Sequence, residues 1–391
     1  MNVVLAPNSE AEIAEIIVKA KADKTPLEIV GSGTRKGLGR PVQAAKTLSL
    51  SALCGISLYE PGALTLVAKA GTPLSEIEQA LAEHGQRLAF EPMDHRALLG
   101  TVGAPTIGGI VAANISGSRR IQAGACRDAL LGVRFVNGEG AIIKSGGRVM
   151  KNVTGLDLVK LMAGSYGTLG VISEVSFKVL PRNESEATLV VEGLALERAI
   201  GVLSAALASP FEVSGAAYLP QGQDASKTLL RIEGFAAQLD YRIARLRKTV
   251  TAGLETNIIQ ARAHERLWRS VRDVEMFGGS ANVVWKLSVK PGDAPAISDA
   301  IADKIDAKML FDWGGGLIWV ELDEPKTAAA EIIRAIVGQY GGHASLVRAP
   351  DALRLAVAPF QPQMRRIEEI SAAIREKFDP EGILNPGRIS A

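Results

Sequence analysis

The groups best placed to do chemistry in this chain are backbone amides and hydroxyls between Gly100 and Gly170. Fifteen of the 40 glycines fall in these 71 residues, among small side chains and Ser, Thr and Asn. The runs Pro105 to Asn114, Ser116-Gly117-Ser118-Arg119-Arg120 and Gly164 to Ile172 hold most of the pattern. Glycine lets the main chain approach a ligand closely and adopt positive φ, so such a stretch offers N–H donors in place of apolar bulk. It predicts a wrapping for a large, flat, phosphate-bearing cofactor. No histidine and no obvious base lies between Gly100 and Gly170. The stretch is equipped to hold such a group, and poorly equipped to take a proton.

A second loop, Gly31-Ser32-Gly33-Thr34-Arg35-Lys36-Gly37-Leu38-Gly39-Arg40-Pro41, follows the apolar run Leu27 to Val30. A strand entering Gly-x-Gly invites a dinucleotide fold, but that fold needs a helix directly after the glycines. Gly37, Gly39 and Pro41 oppose one. Two readings stay open from the loop alone. One is an anion nest of successive N–H groups with the Ser32 and Thr34 hydroxyls, to which Arg35 and Lys36 add charge. The other is an ordinary polar turn.

These loops need elements to hold them. Ser9 and Glu12 have capping-box spacing before Ile13, Ile16, Ile17 and Ala20, which predicts an opening helix. Leu64 to Ala70 reads as a strand, and Gly71-Thr72-Pro73 starts a helix ended by Gly85. Asn137-Gly138-Glu139-Gly140 between two apolar runs predicts a hairpin. Gly155 to Met162 reads as a short helix and Val171 to Leu180 as a strand. After Pro181 the glycines thin out. Strands are expected at 188–191, 213–219, 228–235, 282–289, 316–322 and 344–348, and helices at 194–207, 237–252, 262–272, 293–305, 326–340 and 362–377. That order suggests a sheet with helices on one face. The expected domains are 1–180, 181–370 and a C-terminal segment 371–391 that returns to the first.

Composition removes several function classes. A net charge of +2 argues against an electrostatically driven nucleic-acid binder. Two cysteines, Cys54 and Cys126, build neither a disulfide framework nor an iron–sulfur cluster. The N-terminus lacks the order of a signal peptide, and the run Leu98 to Ile115 is broken and too short to span a bilayer. The expected location is cytoplasmic, with any contact to the inner membrane face made through partners.

Taken together, the motifs resemble the FAD-binding domain of the vanillyl-alcohol-oxidase (PCMH-type) flavoproteins. They are the Gly31–Thr34 loop, Thr106-x-Gly-Gly-x-x-Ala-x-Asn114, Gly124-x-x-Arg-Asp-x-x-Leu-Gly132, Gly146-Gly-Arg-Val-x-Lys-Asn-Val-Thr-Gly155 and Gly164-Ser-x-Gly-Thr-Leu-Gly-Val-Ile172. Phe378-Asp-Pro-x-Gly-Ile-Leu-Asn-Pro-Gly387 resembles that family's C-terminal signature. The 33–40 and 116–120 segments, with a short second domain, look most like the FAD-binding subunits of bacterial glycolate oxidases. The resemblance implies an α+β fold whose two α+β subdomains hold FAD, followed by an α+β domain with an antiparallel sheet covered by helices. It places Gly31, Ser32, Gly33 and Thr34 at the pyrophosphate. It lines the flavin and its phosphates with Thr106, Gly108, Gly109, Ala112, Asn114, Ser116, Gly117 and Gly124. It gives a backbone contact to Gly170, Val171 and Ile172, and brings Asn385 to the flavin. Covalent members often carry a histidine in the phosphate loop; this loop has none, so FAD is expected to be non-covalent. Many relatives have tyrosine where this chain has Leu156, so no role of that tyrosine carries over.

Oxidising a 2-hydroxy acid needs a base for the hydroxyl proton, a cation for the carboxylate and a flavin for the hydride. The related catalytic subunits resemble one another in clustered histidines. Here His84, His95, His264 and His343 are not paired at ligand spacing, so no metal site is expected. His84 is expected as a surface cap and His264 as a solvated residue of a charged helix. His95 and His343 fall in loops able to face a flavin, with packing or surface roles preferred. For Arg119 and Arg120, phosphate neutralisation or surface charge is preferred over bidentate carboxylate binding. Packing is the expectation for Cys126, Asp128, Trp268, Trp285, Trp313 and Trp319. Three functions compete: an FAD subunit of a glycolate-oxidase-type complex, a self-sufficient 2-hydroxy-acid dehydrogenase resembling D-lactate dehydrogenases, and a structural subunit without redox work. The few histidines favour the first. Its implied partners are glycolate, a homologous FAD subunit and an iron–sulfur subunit.

Overall fold

The computed structural model describes residues 3–148, 155–220, 225–323 and 326–389. The chain forms two compact units. One comprises Met1–Ser116, Gly124–Arg182 and Pro362–Ala391; the other comprises Gly117–Ala123 and Asn183–Gln361.

The first unit opens on a short strand, Val3–Leu5, and the helix Glu10–Ala22. Ser9 accepts the Glu12 N–H and Glu12 accepts the Asn8 N–H, while Ile13, Ile17 and Ala20 are buried. Cap and apolar stripe thus agree, as the spacing predicts. Leu27–Val30 pairs in parallel with Lys46–Ser49, which pairs in parallel with Val3–Leu5. No helix follows Leu27–Val30: residues 31–40 are turns and bends. The second sheet is antiparallel, in the order Ile56–Glu60, Thr65–Lys69, Val171–Pro181, Leu130–Val136, Ile142–Gly146, with Gln86–Leu88 also paired to Val171–Pro181. The Asn-Gly hairpin joins Leu130–Val136 to Ile142–Gly146, and Asn137 Oδ1 accepts the Glu139 and Ala141 N–H groups.

The C-terminus closes this unit. Gly138 donates its N–H to Phe378 O, and a Cβ on Gly138 would lie 2.5 Å from Asp379 Oδ1. Only glycine lets the hairpin tip seat there. Asp379 in turn accepts the Ile383 and Leu384 N–H groups, and burial raises its pKa. Leu384 then bridges Leu27 in parallel, extending the three-stranded sheet. The helix before it runs Arg365–Phe378, shorter at its start than the expected 362–377, and buries none of its residues.

The second unit is an eight-stranded antiparallel sheet. Its order is Thr256–Gln260, Ser185–Glu192, Lys227–Gly234, Val213–Leu219, Ala307–Asp312, Leu317–Leu322, Val283–Ser288, His343–Arg348. Leu203, Leu246, Ile297 and Ile333, on four helices, share a core with Leu189, Ile232, Phe311, Ile318 and Trp285 from the strands. This is the expected α+β class. Strands Thr256–Gln260 and Ala307–Asp312 were not expected, because neither shows clean alternation. The helix expected at 326–340 begins only at Ala330, since Ala328 and Ala329 take left-handed φ values of 55° and 49°. The helix expected at 293–305 ends at Ala302.

Candidate functional site

A cleft of about 530 Å³ in the first unit is lined by Ile29 to Lys36, Leu38, Thr106, Gly109, Ala112, Ala113, Tyr166, Asn385 and Arg388. The Gly31–Thr34 loop forms one wall. Among the described residues, the N–H groups of Ser32, Gly33 and Thr34 donate to no protein acceptor. Gly33 has φ 81°, a conformation that turns successive amides the same way and that glycine adopts without strain. The loop is fixed from outside: Ser32 Oγ donates to Ala104 O, Thr101 Oγ1 donates to Thr34 O at 2.9 Å and Arg35 Nη2 donates to Met93 O at 3.0 Å.

Thr106 and the short helix Ile107–Ala112 form the opposing wall. A Cβ on Gly31 would sit 2.1 Å from Thr106 Oγ1, so the two walls touch only because residue 31 is glycine. Gly109 lines the cleft, and a Cβ there would lie 3.3 Å from Thr106 Oγ1 and 4.0 Å from Arg35 Nη1. Asn385, buried and with φ 45°, forms the floor. Its Oδ1 accepts the Ile29 N–H at 2.7 Å and its Nδ2 donates to Tyr166 O at 2.7 Å. Burial pushes the Tyr166 phenol up to about 12, so it stays protonated at neutral pH. At the rim, Glu28 pairs with Lys36 at 2.8 Å and with Arg388 at 3.3 Å. Two cations against one carboxylate leave a net positive edge.

The remaining sequence candidates are not among the residues lining this cleft. Gly108 is a packing glycine: its N–H donates to Ala70 O, and a Cβ would lie 2.6 Å from Ala70 Cβ. Asn114 Oδ1 and Ser116 Oγ accept the N–H groups of Arg127 and Cys126, at the start of the helix Cys126–Ala129. Gly124 stands beside Asp128, whose carboxylate accepts the Ala125 N–H. Gly170 abuts Phe135, while Val171 and Ile172 are buried opposite Val136 and Phe135 in the sheet. Gly117 lies in the second unit, where its carbonyl accepts the Trp313 Nε1–H. Within the motif Gly146–Gly155, residues 149–154 lie outside the described residues. Cys126 is buried and its thiol pKa rises, which fits packing. Leu156 is 81% exposed.

The histidines and arginines bring corrections. His264 is not solvated: it is buried, with Nδ1 2.9 Å from Thr188 Oγ1, because its helix packs that face on the sheet. His343 begins a strand and is exposed; His95 is buried at the start of the helix Arg96–Leu99. His84 caps the helix Leu74–Glu83 as expected. Arg119 is neither surface charge nor a phosphate neutraliser. It grips Glu233 through Nε, at 3.0 Å, and Nη2. Arg119 and Arg231 hold the buried Glu233 well below the usual carboxylate range against its desolvation. Sequence reasoning missed Arg388 and Tyr166 as cleft-lining residues. The arginine after Asn-Pro-Gly was a usable signal; nothing marked Tyr166.

Residues 1–146 match the family model described as FAD binding domain. Over 380 residues the chain is 34% identical to the Escherichia coli protein called glycolate oxidase subunit GlcE, covering 97% of each chain. The chain belongs to this family of FAD-linked oxidoreductases. It is also 30% identical over 234 residues to Bacillus subtilis glycolate oxidase subunit GlcD, spanning 60% of this chain and 47% of that protein. An Archaeoglobus fulgidus D-lactate dehydrogenase is 29% identical over 199 residues, 51% of this chain and 43% of that one. In fold, an alkyldihydroxyacetonephosphate synthase superposes with a TM-score of 0.73 at 15% identity, covering 98% of this chain and 75% of the synthase. The cofactor of the family is FAD. Unpartnered amides, a positive rim and glycines where side chains would intrude fit a phosphate-bearing group. No described helix is long and apolar enough to cross a membrane.

Proposed function

We propose that this chain is the FAD-binding subunit of a glycolate-oxidase-type complex that oxidises glycolate to glyoxylate and passes the electrons to a partner chain. The match to GlcE along nearly the whole of both proteins carries this reading. The D-lactate dehydrogenase, by contrast, matches over about half of this chain.

In this reading Ser32, Gly33 and Thr34 donate N–H groups to the FAD pyrophosphate, and the net positive rim of Lys36 and Arg388 offsets its charge. Gly31, Thr106, Gly109, Ala112 and Asn385 shape the rest of the cleft. FAD is held without a covalent bond: the 31–40 loop has no histidine. When bound, the flavin supplies the two-electron acceptor that the chain's own side chains lack. The described residues of the cleft contain no histidine or carboxylate to act as general base. With two cysteines the chain cannot ligate an iron–sulfur cluster by thiolates alone, so we place the next electron carrier on an iron–sulfur partner. A homologous FAD subunit completes the complex, and any membrane contact runs through these partners.

Reconstitution with FAD tests the reading. Flavin absorbance should appear on the purified chain, and anaerobic glycolate should bleach it fully only when the partner subunits are present. Absence of flavin sinks the proposal; complete bleaching by the isolated chain makes it a self-sufficient dehydrogenase.

A further inference from the structure

We infer that the edge strand Thr256–Gln260 of the second unit is where an extended, acidic segment of a partner chain adds as a further strand. The inference rests on the reading above, in which this chain works within a complex.

Thr256–Gln260 is the outermost of the eight strands, paired antiparallel with Ser185–Glu192 on one side and with no described strand on the other. The opposite edge, His343–Arg348, is covered: Leu346 donates its N–H to Pro359 O, and Ala344 donates its N–H to Gln361 Oε1. Exposed edges are usually blunted by lysine, proline, a bulge or a covering segment. Thr-Asn-Ile-Ile-Gln has no charge and no proline, and it meets its neighbour in unbroken register. Asn257, Ile258 and Gln260 are exposed, Ile258 by 41%. From the helix Ala236–Thr249, Arg247 donates to Thr256 Oγ1 at 2.9 Å and Thr256 O at 3.3 Å, which holds the start of the strand in place. Such an edge presents main-chain donors and acceptors to an incoming strand.

The helix Ala261–Arg272 follows directly and lies across the two outermost strands. His264, Trp268 and Val271 face the sheet, where Thr188 Oγ1 accepts the Trp268 indole N–H at 2.8 Å. Arg262, Arg266 and Arg269 each precede one of these by two residues, about 200° around the helix, so they point to solvent. All three are exposed, and among the described residues their guanidiniums make no hydrogen bond or ion pair. Glu265, the helix's one carboxylate, pairs with none of them, and Arg272 is taken by Asp273. Arg262 stands in the first turn, where the helix dipole disfavours a cation and no acidic residue offsets it. Helix stability does not account for it.

These arginines decide what can occupy the edge. Two copies of this chain joined antiparallel through Thr256–Gln260 would be related by a two-fold axis normal to the sheet, which keeps like faces together. The two arginine helices would then lie on one face, like charge against like. An acidic chain meets the reverse: main-chain bonds to the strand, and guanidiniums free to bind its carboxylates bidentately.

The test compares hydrogen exchange in the flavin-loaded chain alone with that in its complex, formed by co-expression with the homologous FAD subunit and the iron–sulfur subunit. The peptide covering 256–260 should exchange about tenfold or more slowly in the complex. The triple reversal R262E/R266E/R269E, and separately I258E, should weaken assembly about tenfold or more while keeping the melting midpoint and flavin content of the parent. Unchanged exchange at 256–260 within an assembled complex overturns the inference, as does assembly indifferent to the triple reversal. Protection that grows in the isolated chain with its concentration makes the occupant a second copy and overturns it too. A chain that assembles with neither subunit sinks the proposed function and this inference together, whereas an assembled complex with an open edge sinks this inference alone.

Discussion

Asn385 Oδ1 accepts the Ile29 N–H at 2.7 Å across 356 residues of sequence. With the bond from Asn385 Nδ2 to Tyr166 O, one buried side chain ties the first sheet, the 164–170 loop and the C-terminal segment to the same cleft. Substituting N385A removes both bonds and leaves a buried N–H without an acceptor, at a cost of about 1–3 kcal/mol. Thermal denaturation should show a lower midpoint, and the purified protein should retain less flavin. N385D keeps the acceptor and loses the donor, so it should fall between.

Gly108 and Gly109 are adjacent and should fail differently. A Cβ at Gly108 meets Ala70 Cβ at 2.6 Å, while one at Gly109 meets nothing closer than Thr106 Oγ1 at 3.3 Å. G108A should therefore lower stability by about 1–3 kcal/mol through overpacking. G109L should leave the melting midpoint near that of the parent and fill the cleft, so that flavin absorbance is lost. A flavin-replete G109L protein would contradict the placement of the cofactor.

Removing Arg119 leaves the buried Glu233 with its ion pair to Arg231, 3.7 Å away, and the hydrogen bond from Ser214. R119A should cost roughly 3 kcal/mol at neutral pH, measured by urea unfolding. The carboxyl of Glu233 sits well below its ordinary value, so its contribution is present above the unfolded pKa and lost as pH falls. The gap between R119A and the parent should accordingly narrow in acid.

Lys286 runs the other way. Its folded pKa of about 8 lies below the ordinary 10.5. Between those values the unfolded chain binds the extra proton, so this group makes stability rise with pH across that window. K286M should abolish that rise and stabilise the protein at pH 7, where the parent carries a charge without a hydrogen-bond partner. Melting midpoints of the two proteins from pH 7 to 10.5 check this; a K286M protein less stable at pH 7 would show the lysine to be structural.

The glycine loops, the hairpin at Asn137-Gly138, the opening helix and the absence of a dinucleotide-type helix after Val30 were legible in the residues, because each depends on local sterics and hydrogen bonding. FAD chemistry was legible in the order of motifs. The tertiary structure decided what each motif residue touches. Gly108 and Gly109 look alike in sequence, but one faces Ala70 and the other the cleft. Asn114 and Ser116 cap a helix start, Gly117 and Arg119 serve the second unit, and His264 is buried among polar partners. The strands Lys46–Ser49 and Ala307–Asp312 were hidden for the same reason. Short strands draw their stability from partners remote in the chain, and no residue announces its partner. Local backbone chemistry is written in the sequence; which groups meet, and which charges are left over as at Lys286, is settled only when distant segments pack.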